Sequence, residues 1–201
     1  MHIMQILFIS FFIPLSGNFL SPVIFDDLGE NYYFYNEAYE KVTIRYVADS
    51  TTAHPLNANA DKLIRSILAE SGIFSAYISS TKRTFREQAE IMKEVSDANL
   101  RAWYGEEAAL AVRKYDVPTL EQWLKDNKPK ISRHIPGYAL DVIIVGGDTL
   151  DTPQNNKNRD AYDAVISKLI PIKSFGVRYY LRENNGVEHT EFIFPVTNIV
   201  E

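Results

Sequence analysis

One short segment carries the side chains with the clearest chemistry. Residues 132–141 contain His134 and Asp141, and a further histidine, His189, follows near the C-terminus. The chain has 4 histidines in all. Two imidazoles and one carboxylate are a usual ligand set for a catalytic zinc ion, whose remaining position is left to water. Metal-dependent hydrolysis is therefore the first hypothesis.

The surroundings of Asp141 favour a metal over an ordinary loop. Asp141 lies near the start of an apolar run, Ala139 to Val145, where an unpaired buried carboxylate would be costly. A cation would stabilise it there. Gly137 permits the turn that brings a loop histidine back to a strand aspartate. The alternative is a loop histidine and an aspartate bonded to backbone.

Composition restricts the classes of protein to consider. The 201 residues suit one domain, and the apolar fraction of 46% suits a packed core. The net charge is -5 without a basic stripe, so nucleic-acid binding is not expected. With no cysteine, disulfides and thiolate metal sites are excluded.

Residues 1–40 are interpreted as an N-terminal extension. Residues 6–15 are apolar, and small residues follow at 16 and 17. This run has the length of a signal-peptide core but no preceding lysine or arginine, so a buried strand or packing arm is the other interpretation. It is too short for a transmembrane helix, and no other segment qualifies.

The pattern of the remaining chain predicts alternating strands and helices. Strands are predicted at 42–47, 76–80 and 139–145, and helices at 61–70, 106–113 and 161–170. A helix capped by Thr84, with Glu87 completing a capping box, is expected to run towards Trp103. Thr119 is expected to cap another helix, and 151–159 to form a polar loop. Asn185-Gly186 predicts a hairpin whose second strand carries His189.

The motif resembles that of a known family. Ser132, His134, Gly137, Ala139 and Asp141 are similar, in type and order, to the zinc signature of the D-Ala-D-Ala metallopeptidase superfamily. This group includes D,D-carboxypeptidases and L-alanyl-D-glutamate endolysins, with lysostaphin-type peptidases and the hedgehog domain as wider relatives. The resemblance covers roughly residues 42–196 and implies a metallopeptidase-like domain at 41–201.

The resemblance also implies roles for individual residues. His134, Asp141 and His189 would bind Zn²⁺. Arg83 would bind the substrate carboxylate or the developing oxyanion, with Arg86 as the alternative arginine. Gln88 would line the same pocket, and Ser132 would orient a ligand or the substrate by hydrogen bonding.

The general base departs from the family pattern. Many members place an acid three residues before the last zinc histidine, and this chain has Gly186 there. Glu191 would share a strand face with His189 and is the first substitute. Glu188 should face away unless the strand bulges, and Glu183 in the turn is the third choice.

These patterns together predict an α+β domain with a small, mainly antiparallel sheet, helices on one side and a single zinc cleft. The resemblance implies a zinc peptidase that cleaves peptidoglycan stem peptides at D-Ala-D-Ala or L-Ala-D-Glu bonds, in the cell envelope, exported or carried by a phage. A helical insertion at 99–130, containing Trp103, Tyr104 and Trp123, is expected beside the cleft and would select longer substrates. The alternative is a non-catalytic zinc-binding wall-recognition or phage structural module that has lost its base.

Overall fold

A computed structural model describes residues 24–25, 32–33, 36–48, 50–127, 132–144, 153–172 and 175–198. The predicted signal or packing arm at 6–17 lies outside the described residues. The boundary placed after residue 40 falls within a 3-10 helix, Glu37–Lys41, which packs on the first α-helix.

A five-stranded, mainly antiparallel sheet forms the centre of the protein. Two short strands, β1 (Ile24–Phe25) and β2 (Tyr32–Tyr33), pair with each other. The sheet strands are β3 (Thr43–Tyr46), β4 (Ser75–Ser80), β5 (Ala139–Ile144), β6 (Val177–Arg182) and β7 (Val187–Phe192). Their order is β3-β4-β5-β7-β6, and the β3-β4 pair alone is parallel. The predicted α+β class and the β6-β7 hairpin are confirmed.

Six α-helices accompany the sheet in the described part of the chain. They are α1 (Ala58–Glu70), α2 (Phe85–Glu94), α3 (Asp97–Tyr104), α4 (Glu106–Lys114), α5 (Val117–Asp126) and α6 (Pro153–Leu169). The Thr84 capping box is present as predicted. None of the helices in these ranges is long and apolar enough to cross a membrane.

The apolar side chains form two separate cores. The first lies between one face of the sheet and helices α1 and α6, and includes Leu140, Val142, Ile64 and Tyr162. The second lies among α2, α3, α4 and α5 and is called here the helical cluster. Side chains alternate along β5 and β7, so that one set faces the first core and the other set faces the opposite side of the sheet. The predicted ligands Asp141 and His189 belong to the second set.

Three local predictions were wrong, each because of a capping or tertiary contact. The helix expected to continue from Thr84 ends at Glu94, since Ser96 caps a new helix through the backbone N–H of Asn99. Asp116, rather than Thr119, caps α5. The loop expected at 151–159 is helical from Pro153, a residue well suited to a first helical turn.

A buried ion pair ties α6 to the hairpin. The guanidinium of Arg159 donates to the carboxylate of Glu188 on β7 and, at 2.6 Å, to the backbone carbonyl of Glu183 in the turn. Glu188 is fully buried and also accepts from the Tyr180 hydroxyl. The pair therefore fixes the hairpin from the core side of the sheet.

We expect Arg159→Met to reduce the free energy of unfolding by about 3–5 kcal/mol, because it leaves the Glu188 carboxylate buried without its cation. Arg182→Met removes a more exposed ion pair, to Asp160, and should cost only about 0–1 kcal/mol. Equilibrium unfolding in urea measures both. The double variant Arg159→Met/Glu188→Gln should recover part of the lost unfolding free energy. If Arg159→Met lost no more unfolding free energy than Arg182→Met, the stabilising role of the buried ion pair would be contradicted.

Candidate metal centre

Three different parts of the fold bring the predicted ligands together. His134 lies in the turn that precedes β5, Asp141 lies on β5, and His189 lies on β7. Asp141 and His189 are direct partners in the β5-β7 register, so their side chains share the sheet face opposite the first core. All three residues are buried or nearly so.

The ligand atoms face one another at distances suited to a metal ion. Asp141 Oδ1 lies 3.1 Å from His134 Nε2 and 2.7 Å from His189 Nδ1, and the two nitrogens are 3.3 Å apart. A tetrahedral ion with nitrogen and oxygen ligands at about 2.0–2.1 Å holds those ligands about 3.3 Å apart. The three residues therefore form a candidate metal-binding triad, and their chemistry fits such an ion.

Each histidine has an inner nitrogen that faces Asp141 (His134 Nε2 and His189 Nδ1) and an outer nitrogen that faces away from it. The outer nitrogens lie near oxygen atoms of the protein, which leaves the inner nitrogens for a metal. His134 Nδ1 lies 3.4 Å from the Thr81 carbonyl and 3.3 Å from Ser80 Oγ. His189 Nε2 lies 3.8 Å from Glu191 Oε1. An oxygen acceptor on the outer nitrogen of a histidine favours the tautomer that ligates through the inner nitrogen.

The turn that carries His134 depends on Gly137 and on three hydrogen bonds to the His134 backbone. Gly137 has φ 73°, in the left-handed region that side chains disfavour, and its N–H donates to the His134 carbonyl at 2.9 Å. Ser132 Oγ accepts from the His134 N–H at 3.3 Å, so this predicted residue orients a ligand by way of its backbone. The Arg83 N–H also donates to the His134 carbonyl, at 3.0 Å.

Arg83 reaches the triad, and Arg86 does not. Arg83 Nη2 donates to Asp141 Oδ2 at 3.0 Å, and Nε donates to Ser80 Oγ at 3.1 Å. Arg86 forms an exposed ion pair with Glu90 one helical turn along α2. Arg83 therefore holds the Asp141 oxygen that the histidines leave free.

The charges within the triad shift its titration. Burial alone would raise the pKa of the Asp141 carboxyl, but His134 and His189 outweigh burial and hold that pKa well below its usual range. Burial lowers the pKa of His134, which favours the neutral imidazole that a metal needs. Burial alone would lower the pKa of His189, but the hydrogen bond that it donates to Asp141 and the nearby carboxylate of Glu191 outweigh burial and raise that pKa to about 9.

The three candidate bases are placed very differently. Glu191 is on the triad face of β7, beside His189. Glu188 is not brought to the triad: the β5-β7 register runs without a bulge, so Glu188 points into the first core and binds Arg159. The prediction that Glu188 is a catalytic residue is therefore not supported by its position. Glu183 is in the hairpin turn and accepts from the Asn185 side chain.

Gln88 and some unpredicted residues complete the surroundings. Gln88 is fully buried, and its Oε1 accepts from Arg83 Nη1 at 3.4 Å. Its Nε2 donates to the Tyr104 hydroxyl at 3.3 Å. Sequence reasoning gave no role to Ser80 or Thr81, although a serine on the buried face of an alternating strand is an informative signal.

Comparison with known proteins gives no relative for this chain. No family model, curated protein or solved structure matches it.

We expect Gly137→Ala to weaken binding of a divalent metal by about tenfold or more, because the turn that presents His134 must change. A Cβ on Gly137 would also lie 3.1 Å from Thr197 Oγ1. Gly72→Ala is the matched control: it introduces the same strain at φ 70°, away from the triad and without a close contact.

Both substitutions should cost about 1–2 kcal/mol of unfolding free energy, measured in urea, since each places a side chain in the left-handed region. Metal affinity is measured by competition with a chromophoric chelator. Equal metal affinity in the two variants would show that the Gly137 turn does not control the site.

Proposed function

We propose that the protein is a zinc-dependent peptidase that hydrolyses the stem peptides of peptidoglycan. The observation that carries the proposal is the triad of His134, Asp141 and His189, whose ligand atoms converge within 3.3 Å on one face of the sheet. Support for the substrate class comes from the resemblance of residues 132–141 to the D-Ala-D-Ala metallopeptidase signature.

Zinc bound by this triad would supply a Lewis acid and a water of lowered pKa. The protein's own residues provide the remaining requirements. Arg83 holds the second oxygen of Asp141, which favours ligation through one oxygen only. Its guanidinium also places positive charge beside the triad, where it would stabilise a developing oxyanion.

Glu191 is the proposed general base, since of the three candidates it is the one beside His189 on the triad face. Its 3.8 Å separation from His189 Nε2 also suits a second role, orienting the imidazole as a ligand. The two roles make different demands. A base must accept a proton, whereas an orienting group needs only an oxygen acceptor.

A non-catalytic zinc-binding module is the second candidate function, favoured by Gly186, which occupies the position where many members of the resembled family have an acid. In that case Glu191 only orients His189, and the protein would bind wall peptide without cleaving it.

Zinc analysis combined with hydrolysis of soluble peptidoglycan fragments tests the proposal. We expect one zinc per chain and wild-type hydrolysis, with activity lost about 100-fold or more in Glu191→Gln at unchanged zinc content. Glu191→Ala should also bind zinc about 10–100-fold more weakly, because it removes the oxygen beside His189.

Glu183→Gln is the matched control, since it makes the same change in the hairpin turn, and it should keep full activity. Bound zinc without hydrolysis in the wild type would replace the peptidase with the binding module. Absence of zinc under metal-replete conditions would exclude both. Full activity in Glu191→Gln would refute the role as base and leave the orienting role.

A further inference from the structure

The end of helix α3 carries a tyrosine that two side chains, Gln88 and Arg83, link to the candidate metal centre. Tyr104 is the last residue of α3, and Gly105, at φ 89°, ends the helix and begins α4. The aromatic ring packs against the helical cluster, whereas the neighbouring Trp103 is 53% exposed. The backbone break at Gly105 therefore fixes where the Tyr104 hydroxyl lies.

A continuous chain of hydrogen bonds links this hydroxyl to the triad. Gln88 Nε2 donates to the Tyr104 oxygen at 3.3 Å, and Arg83 Nη1 donates to Gln88 Oε1 at 3.4 Å. Arg83 Nη2 then donates to Asp141 Oδ2 at 3.0 Å.

The Tyr104 hydroxyl keeps an unused donor. Its oxygen accepts from Gln88, and its own proton is donated to none of the described residues, so the proton remains for another partner. Burial raises the pKa of this phenol, which keeps the proton in place. A partly buried hydroxyl that lacks an acceptor is suited to an oxygen atom of a ligand.

Arg83, by contrast, is largely committed to the protein. Its three guanidinium nitrogens donate to Ser80, Gln88 and Asp141. These contacts fix the orientation of the guanidinium and assign it chiefly to the support of Asp141. A further hydrogen-bond donor would therefore supplement Arg83 in binding a substrate.

We infer that Tyr104 is a substrate-binding residue of this site, whose hydroxyl donates to a carbonyl or carboxylate oxygen of a peptide held at the metal centre. The inference rests on the proposed function and extends it, since it assigns one substrate contact to the helical cluster. It also gives a specific basis to the expectation that the 99–130 segment selects the substrate.

Tyr104→Phe tests the inference, because it removes the hydroxyl and retains the ring that packs in the helical cluster. Tyr115→Phe is the matched control: Tyr115 packs against the same cluster, and its hydroxyl makes no hydrogen bond to any described residue. Zinc-loaded protein is titrated calorimetrically with a soluble muropeptide, and kcat and KM are measured on the same compound. Zinc affinity and the urea midpoint are measured in parallel.

We expect Tyr104→Phe to weaken muropeptide binding and to lower kcat/KM by about tenfold or more, the effect of one hydrogen bond to a charged acceptor. Zinc affinity and the urea midpoint should match those of Tyr115→Phe. An unchanged dissociation constant for the muropeptide would overturn the inference. A fall in zinc affinity without weaker muropeptide binding would do the same, since Tyr104 would then act only through Gln88 and Arg83.

The binding measurement also separates this inference from the proposed function. If the wild type hydrolyses nothing, the peptidase proposal fails, but weaker muropeptide binding by Tyr104→Phe would still support the substrate contact. If the wild type hydrolyses the muropeptide and both variants behave alike, the peptidase stands and the role of Tyr104 is refuted.

Discussion

A buried carboxylate in the middle of the sheet, that of Asp141, determines much of what surrounds it. One oxygen is shared by His134 and His189, and the other accepts from Arg83. A charge this far from water is tolerated only when it is paired and hydrogen-bonded. The left-handed glycine turn before β5, the β5-β7 register and the short connection from β4 to α2 each deliver one of those partners.

Strand β7 carries one residue that contacts the Asp141 carboxylate and, next to it, one that faces the opposite side of the sheet. His189 and Glu188 are adjacent and therefore face opposite sides, one towards the triad and one towards Arg159 in the first core. A register slip of one residue would exchange them, placing a carboxylate against Asp141 and an imidazole among apolar side chains. The Arg159–Glu188 pair thus favours the register on which the candidate metal site depends, although it contacts none of the three triad residues.

Local signals in the sequence were sufficient for the hairpin and the Thr84 capping box, whereas the grouping of His189 with His134 and Asp141 also depended on the family resemblance. Spacing, apolar alternation and Asn-Gly act over a few residues and can be recognised without the fold. The helical start at Pro153 was missed, although proline is itself common in a first helical turn. The Asn-rich stretch that follows has low helix propensity, and the contact of Arg159 with a distant strand cannot be recognised from neighbouring residues. The contact of Tyr104 with Gln88 joins two helices and has no local signature.

The sheet and the helices α2–α5 contribute different residues to the candidate site. The sheet, packed on α1 and α6, supplies Asp141 and His189, and the turn before β5 supplies His134, so the geometry of the triad follows from strand register and one turn. Helices α2 and α3 supply Gln88 and Tyr104, which are linked to the triad through the single guanidinium of Arg83. On the proposed function, changes in the helical cluster can alter which peptide binds while the metal ligands keep their positions. Substrate choice and metal chemistry can then vary separately, because Arg83 is anchored to the sheet through Ser80 and Asp141.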